Sequence, residues 1–217
     1  MKKFAVLLSG AGVFDGSELH EAVLTLLSLT QAGASYQCFA PNIEQMHVVN
    51  HLTGEVAVGE HRNVLVESAR IARGDIKATD ELDIQAFDGL VIPGGFGAAK
   101  NLCNFAVVGS ECEVAPSVKA FISEFVEANK PVGFICISPV MIPKLYGEKP
   151  KGTIGHDSDT AHAFNLMGGE HVEANVEQIV VDEARKLVST PAYMLAENIA
   201  QAHIGIDKLV KKVIELA

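Results

Sequence analysis

The opening 41 residues constrain the fold most. FAVLLS (residues 4–9) is a short apolar run that ends in Gly10, Gly12 and Asp15-Gly16, the pattern of a buried strand feeding a loop. SELHEAVLTLLSLTQAG (17–33) follows as a helix, with Asp15 or Ser17 as its cap and Gly33 closing it. Leu19, Val23, Leu26, Leu27 and Thr30 share one face at helical spacing. SYQCFAP (35–41) is the next strand. A crossover of this length is no hairpin, so the two strands are expected to pair in parallel.

The remaining elements extend this plan. HVVNHLTGEVAV (47–58) suggests a small hairpin around Thr53-Gly54, and NVLVESARIARG (63–74) a helix with Arg70 and Arg73 near its C-terminus, where the helix dipole favours cations. FDGLVIPGG (87–95) reads as a strand running into glycines, SVKAFISEFVEANK (117–130) as an amphipathic helix and PVGFICIS (131–138) as another strand. After a helix near 158–168, QIVVDEARKLVSTPAYM (178–194) gives two strands around a DEARK turn, and residues 195–216 are helical. With no repeat and no flexible linker, the expectation is one α/β domain over residues 1–217 with a mainly parallel sheet.

Composition narrows the partners. The chain has 27 acidic and 17 basic residues, a formal charge of −10. No Lys/Arg cluster relieves it, so nucleic acid and anionic membrane surfaces are not expected partners. Residues 22–43 carry no charge, but Gln31, Gly33, Gln37 and Pro41 interrupt them, as a helix, turn and strand would rather than a membrane span. The apolar run after Lys2 and Lys3 is too short for a signal peptide. Cys38, Cys103, Cys112 and Cys136 form no CxxC pair, which reads as reduced thiols in a cytoplasmic protein.

Ligands of open parallel sheets bind beyond the carboxyl ends of the strands. Three segments place chemistry there: the loop leading to Glu18 and Glu21, the glycines of PGGFGAAKNL (93–102), and Cys136. Cys136 is either a core residue, as free cysteines commonly are, or a thiolate stabilised by the amides of a helix starting at Ser138. Gly94, Gly95 and Gly97 either make a tight turn or turn an amide toward an oxyanion. They do not spell GxGxxG, so no dinucleotide is implied. Cys38, Cys103 and Cys112 read as inert. His47 and His51 are four apart in a strand-and-turn stretch, and no metal site is expected. His20 is either a substrate contact or a surface residue, and Tyr193 either lines the pocket or, the favoured reading, packs in the core. The pair His171 and Glu173 reads as an exposed strand face rather than part of a hydrolase triad.

PGGFGAAKNL followed by GFICISP, after a first helix with an early glutamate, resembles the ThiJ/PfpI superfamily, whose fold is shared with class I glutamine amidotransferases. LLSGAGVFDGSELHEAV, NHLTGE, RNVLVESARIARG and STPAYMLAENIA further resemble its ElbB glyoxalase branch, also called enhancing lycopene biosynthesis protein. The resemblance spans nearly the whole chain. It implies a flavodoxin-like three-layer sandwich, a homodimer, and Cys136 as nucleophile on a strained elbow. Counting back from Gly33, it implies Glu21 as the carboxylic acid beside the thiol, with Glu18 one turn earlier as the alternative. It implies His156, about twenty residues after the cysteine, as a further catalytic residue. Many relatives have glycine two residues after the cysteine where this chain has Ser138, which is expected to narrow the pocket.

The implied activity is a glutathione-independent glyoxalase of the hydro-lyase type, without cofactor. Small 2-oxoaldehydes such as glyoxal and methylglyoxal would become 2-hydroxy acids through a Cys136 hemithioacetal, with Gly94, Gly95 and Ile137 holding the oxyanion or substrate. The alternatives are a redox-sensing or chaperone-like stress protein that uses Cys136 oxidation, and a cysteine amidase. The link to isoprenoid biosynthesis implied by the branch is indirect.

Overall fold

In the computed structural model, which describes residues 1–217, the opening unit is β1 (Lys3–Leu7), α1 (Leu19–Gln31) and β2 (Ser35–Ala40). β1 and β2 pair in parallel, with Val6 opposite Cys38. A hairpin of β3 (Val49–Asn50) and β4 (Glu55–Val56) precedes α2 (Val64–Ile71), β5 (Ile76–Ala78) and β6 (Gly89–Ile92). Next come α3 (Phe105–Val108), α4 (Pro116–Glu127), β7 (Val132–Ile135), α5 (Ile142–Tyr146), β8 (Lys151–Gly152), α6 (Ser158–Leu166) and β9 (Glu170–His171). β10 (Val180–Asp182), β11 (Leu187–Thr190) and α7 (Ile199–Leu216) complete the chain. Seven strands form the main sheet in the order β10-β11-β7-β6-β1-β2-β5. Every neighbouring pair is parallel except β10 against β11.

Side-chain alternation divides the core in two. Ala5 and Leu7 of β1 face the layer holding Val118, Phe121, Ile122 and Phe125 of α4. Phe4 and Val6 face the opposite layer, which holds Ala22 and Leu29 of α1 and Ile206, Leu209, Val210 and Val213 of α7. Each such side chain, taken fully out of water, contributes roughly 1.5–3 kcal/mol. The result is the flavodoxin-like sandwich, with helices on both faces of one sheet. No helix is long and apolar enough to cross a membrane.

Strand order locates the crevice. From β1 the chain builds outward through β2 and β5, then crosses to β6, β7 and β11 on the other side. The strand order therefore reverses between β1 and β6, and beyond their carboxyl ends lie the loops 8–18 and 93–97 and Cys136.

One local expectation differs from the structure. α1 is capped by Glu18, whose Oε2 accepts the Glu21 N–H at 2.7 Å, and not by Asp15 or Ser17. Asp15 Oδ2 accepts the Val49 N–H at 2.7 Å and Ser17 Oγ accepts the Ser9 N–H at 2.9 Å. Both are drawn into the folded-back loop, whose buried amides need partners. The face of α1 bearing Leu19, Val23 and Leu27 is the outer one, and Glu21, Ala22, Thr25, Ser28 and Leu29 point inward. α1 is apolar around most of its circumference, so spacing does not decide which face the sheet takes. β5 has only three residues, too few to carry a strand signature.

Candidate active site

β7 is buried along its whole length, and the chain turns sharply after it. Cys136 takes φ +64°, a left-handed conformation that costs a non-glycine residue of order 1–3 kcal/mol. The turn is held from both sides. The Cys136 N–H donates to Thr190 O at 2.9 Å. Ser138 Oγ accepts the Ile135 N–H at 2.9 Å and lies 3.0 Å from Ile92 O and 2.9 Å from Ile135 O, to which its proton can be given. The Ser138 side chain is therefore turned into the sheet, fully buried. It ties β6 to β7 and does not narrow the pocket as the sequence suggested.

Glu21, one turn into α1, is completely buried. Its Oε2 accepts the Gly94 N–H at 2.9 Å and its Oε1 the Tyr193 N–H at 3.1 Å. It lies beside Cys136, the two meeting across Gly94. Gly94 makes this close approach possible. A Cβ there would stand 2.5 Å from Cys136 Cβ and 2.8 Å from Glu21 Oε2. The same bond corrects one expectation: the Gly94 amide is committed to Glu21 and is not free for an oxyanion. The amides of Gly95 and Ile137 are directed at the Cys136 sulfur. Gly95, at φ +92°, lies against the Gly16–Glu18 backbone, where a Cβ would come within 2.4 Å of Gly16 O.

The electrostatics follow from burial. Removal from water raises Glu21 to about 8, against the pull of two backbone amides. Burial, and next the Glu21 charge, push the Cys136 thiol up, while the Gly95 and Ile137 amides oppose them. The short turn Ser138–Met141 does not by itself yield a low-pKa thiol, because desolvation outweighs it. Near neutral pH Glu21 holds its proton beside the thiol, and loss of one proton from the pair leaves a thiolate next to a carboxylic acid.

Cys136 opens at the base of a pocket of about 460 Å³. Val13, Phe96, Phe105, Ile137, Tyr193 and Met194 give it apolar walls, while Glu18, Asp157 and Thr160 supply its polar side chains. No Lys, Arg or His lines it. His156 is exposed and outside the lining, and its neighbour Asp157 is in it. Asp157 caps α6 by accepting the Thr160 N–H at 2.8 Å, and that bond fixes which of the two residues turns inward. His20 is likewise outside, with Nδ1 2.8 Å from Tyr193 Oη. Tyr193, expected in the core, forms part of the pocket wall. His171 is turned to the Ile154 N–H, which it accepts at 3.2 Å. No cluster of three potential metal ligands occurs. Phe96, Phe105, Asp157 and Thr160 are pocket residues the sequence reading missed. The D-S-D-T cap at the start of α6 was a signal for the last two.

No family model matches the chain. The human glutamine amidotransferase-like class 1 domain-containing protein 3 is 43% identical over 99% of this chain and 83% of its own length. The crystal structure of an isoprenoid biosynthesis protein with an amidotransferase-like domain from Ehrlichia chaffeensis superposes with a TM-score of 0.93. It is 39% identical and covers 100% of this chain and 99% of its own. A glyoxalase III from Candida albicans shares the fold at a TM-score of 0.60 and 15% identity, over 99% of this chain and 97% of its own. These relatives correct the expected cytoplasmic location: the human protein and the ES1 proteins of rat and zebrafish are all named mitochondrial. A 43% identity to the human protein, the Ehrlichia superposition and the shared sandwich lead to one conclusion: the chain belongs to the ES1 and glutamine amidotransferase-like class 1 family.

Proposed function

We propose that the protein is a cofactor-free glyoxalase acting on small, uncharged 2-oxoaldehydes. One observation carries this reading. The only acid–base group in contact with the Cys136 sulfur is a buried carboxylic acid, Glu21, raised to about 8, in a pocket without a histidine. A carboxylic acid that is protonated at rest and poised to titrate near neutrality suits proton transfer between adjacent carbons. The amidase reading requires a histidine to protonate a leaving amine, and the pocket supplies none. The absence of a cationic side chain likewise favours neutral substrates over carboxylates or phosphates.

The steps balance without a cofactor. In the form of the pair that holds a single proton, carried by Glu21, the Cys136 thiolate attacks the aldehyde carbon, and Glu21 protonates the new alkoxide to give a hemithioacetal. The Glu21 carboxylate then removes the C1 hydrogen as a proton, and the electron pair moves to form an enediolate. Return of that proton to C2, with passage of the hydroxyl proton from the C1 oxygen to the C2 oxygen, leaves a thioester on Cys136. Water hydrolyses it, releases the 2-hydroxy acid and restores the thiol. The sum is aldehyde plus water to hydroxy acid.

The test is production of glycolate from glyoxal and lactate from methylglyoxal, without glutathione, by the wild type and by Cys136→Ser. Turnover by the first alone is the expected result. Equal product from both, or from neither, removes the proposal and returns weight to a thiol-oxidation role.

A further inference from the structure

A second thiol centre lies outside the pocket. The turn Ala98–Leu102 ends at Cys103, which bridges antiparallel to Val114. The Ala115 N–H donates to Leu102 O at 2.8 Å and the Asn104 N–H to Glu113 O at 3.2 Å. Glu113 N–H returns a bond to Asn104 Oδ1 at 2.7 Å. Residues 102–104 and 113–115 are thereby clamped side by side, with Cys103 inside the clamp and Cys112 at the point where the loop enters it. Cys112 stands two residues before Val114, the residue that Cys103 bridges, so the two side chains are diagonal neighbours on one face of the clamp. Cys103 Sγ also lies 3.3 Å from Ala98 O, and Cys112 Sγ lies 3.5 Å from Met167 Sδ.

Cys112 has its own approach. With Glu113, Val114, Lys119 and Lys144 it lines a separate cavity of about 440 Å³. Between the two cysteines, Phe105 and Ala106 line the Cys136 pocket.

We propose that Cys103 and Cys112 are a redox-active dithiol, which a hydroperoxide converts to an intramolecular disulfide that pins the loop forming one wall of the Cys136 pocket. Cys112 is the attacking sulfur. It is the member of the pair that opens on a cavity, which Lys144 also lines, and the Lys144 charge favours its thiolate, whereas burial holds Cys103 as the thiol. The Cys112 thiolate attacks the peroxide O–O bond, giving a sulfenic acid and hydroxide, or alkoxide from an organic peroxide. Cys103 then attacks the sulfenic sulfur, forms the S–S bond and expels the second oxygen as water, its thiol proton completing the balance. With hydrogen peroxide, two thiols become one disulfide and two waters. The other cysteines lack a resolving partner. Cys38 is pushed up to about 12, chiefly by burial, and Cys136 faces a carboxyl rather than a thiol. The inference is independent of the glyoxalase reading.

The experiment treats the native protein with hydrogen peroxide, alkylates all remaining thiols after denaturation, and digests with trypsin without reductant. No Lys or Arg lies between Asn101 and Lys119, so both cysteines fall in one peptide. The expected result is that peptide unalkylated, lighter by two hydrogens, and carrying two alkyl groups if reductant precedes alkylation. In Cys103→Ala the same peptide gains oxygen at Cys112 instead. The proposal is overturned if the wild-type peptide is fully alkylated at doses that oxidise Cys136, or if Cys112 accumulates oxygen with no disulfide.

Discussion

Cys136 and the Cys103–Cys112 pair are equally hidden from solvent, and burial opposes a thiolate at both. What separates them is the neighbour. At Cys136 it is a carboxyl that can hold or yield a proton, beneath a pocket large enough for a small substrate. At Cys112 the neighbour is a second thiol, and a lysine lines the same cavity. A buried thiol next to an acid is equipped to add to a carbonyl and move a hydrogen. One next to another thiol is equipped to exchange electrons. The chemistry of each sulfur is set by the group it touches rather than by its exposure.

The largest effect should come from exchanging the sulfur itself. Cys136→Ser is expected to lower hydroxy-acid production by ~10³-fold or more, whereas Cys112→Ser leaves it within a few-fold. Equal losses in both variants would erase the contrast. Next, Glu21→Gln keeps the size of the side chain but not its proton, and should cost ~10²-fold in turnover with little change in KM. Deuterium at C2 of lactate formed in heavy water by the wild type would sharpen the assignment of the proton transfer.

The same carboxyl marks the region in stability. Between pH 4.5 and about 8 the folded protein retains a Glu21 proton that the unfolded chain has released. Stability is then complete below that window and falls as pH rises through it, by up to ~5 kcal/mol. Urea unfolding at several pH values should show this slope in the wild type and lose it in Glu21→Gln. A parallel slope in the variant would assign the dependence to another group. Gly94→Ala crowds Cys136 and Glu21 together and should lower stability by ~1–3 kcal/mol, read from the same unfolding curves. The smallest effect belongs to His156→Ala. The residue lies outside the pocket, and its removal should leave turnover unchanged within error. A drop like that of Glu21→Gln would bring the histidine back into the mechanism.

Much of this was legible in the residues because strand ends are. The apolar runs at 4–9, 87–92 and 131–135, each followed by glycine or a turn, locate the crevice and bring Glu21, Gly94 and Cys136 to it. Less legible was anything decided by direction. The α1 sequence is apolar on more than one face, so periodicity did not reveal that Leu19, Val23 and Leu27 lie outside. Ser138 was read as a pocket residue because its sheet-facing bonds to Ile92 and Ile135 depend on a register that no local pattern states. His156 and Asp157 are adjacent, and only the cap of α6 decides which reaches the pocket. Cys103 and Cys112 read as inert because their contact arises from a clamp closed by backbone bonds.

The close approach of Gly95 to the Gly16–Glu18 backbone also bears on how such a site can diversify. Two main chains in direct contact leave no room for either to acquire a side chain unless the other retreats, so drift at one position is forbidden by the other. Variation in substrate preference must enter elsewhere, through residues whose side chains meet the pocket without holding it together. Phe96, Phe105 and Met194 are such positions, and differences among relatives in what they accept should concentrate there while the glycine seam stays fixed.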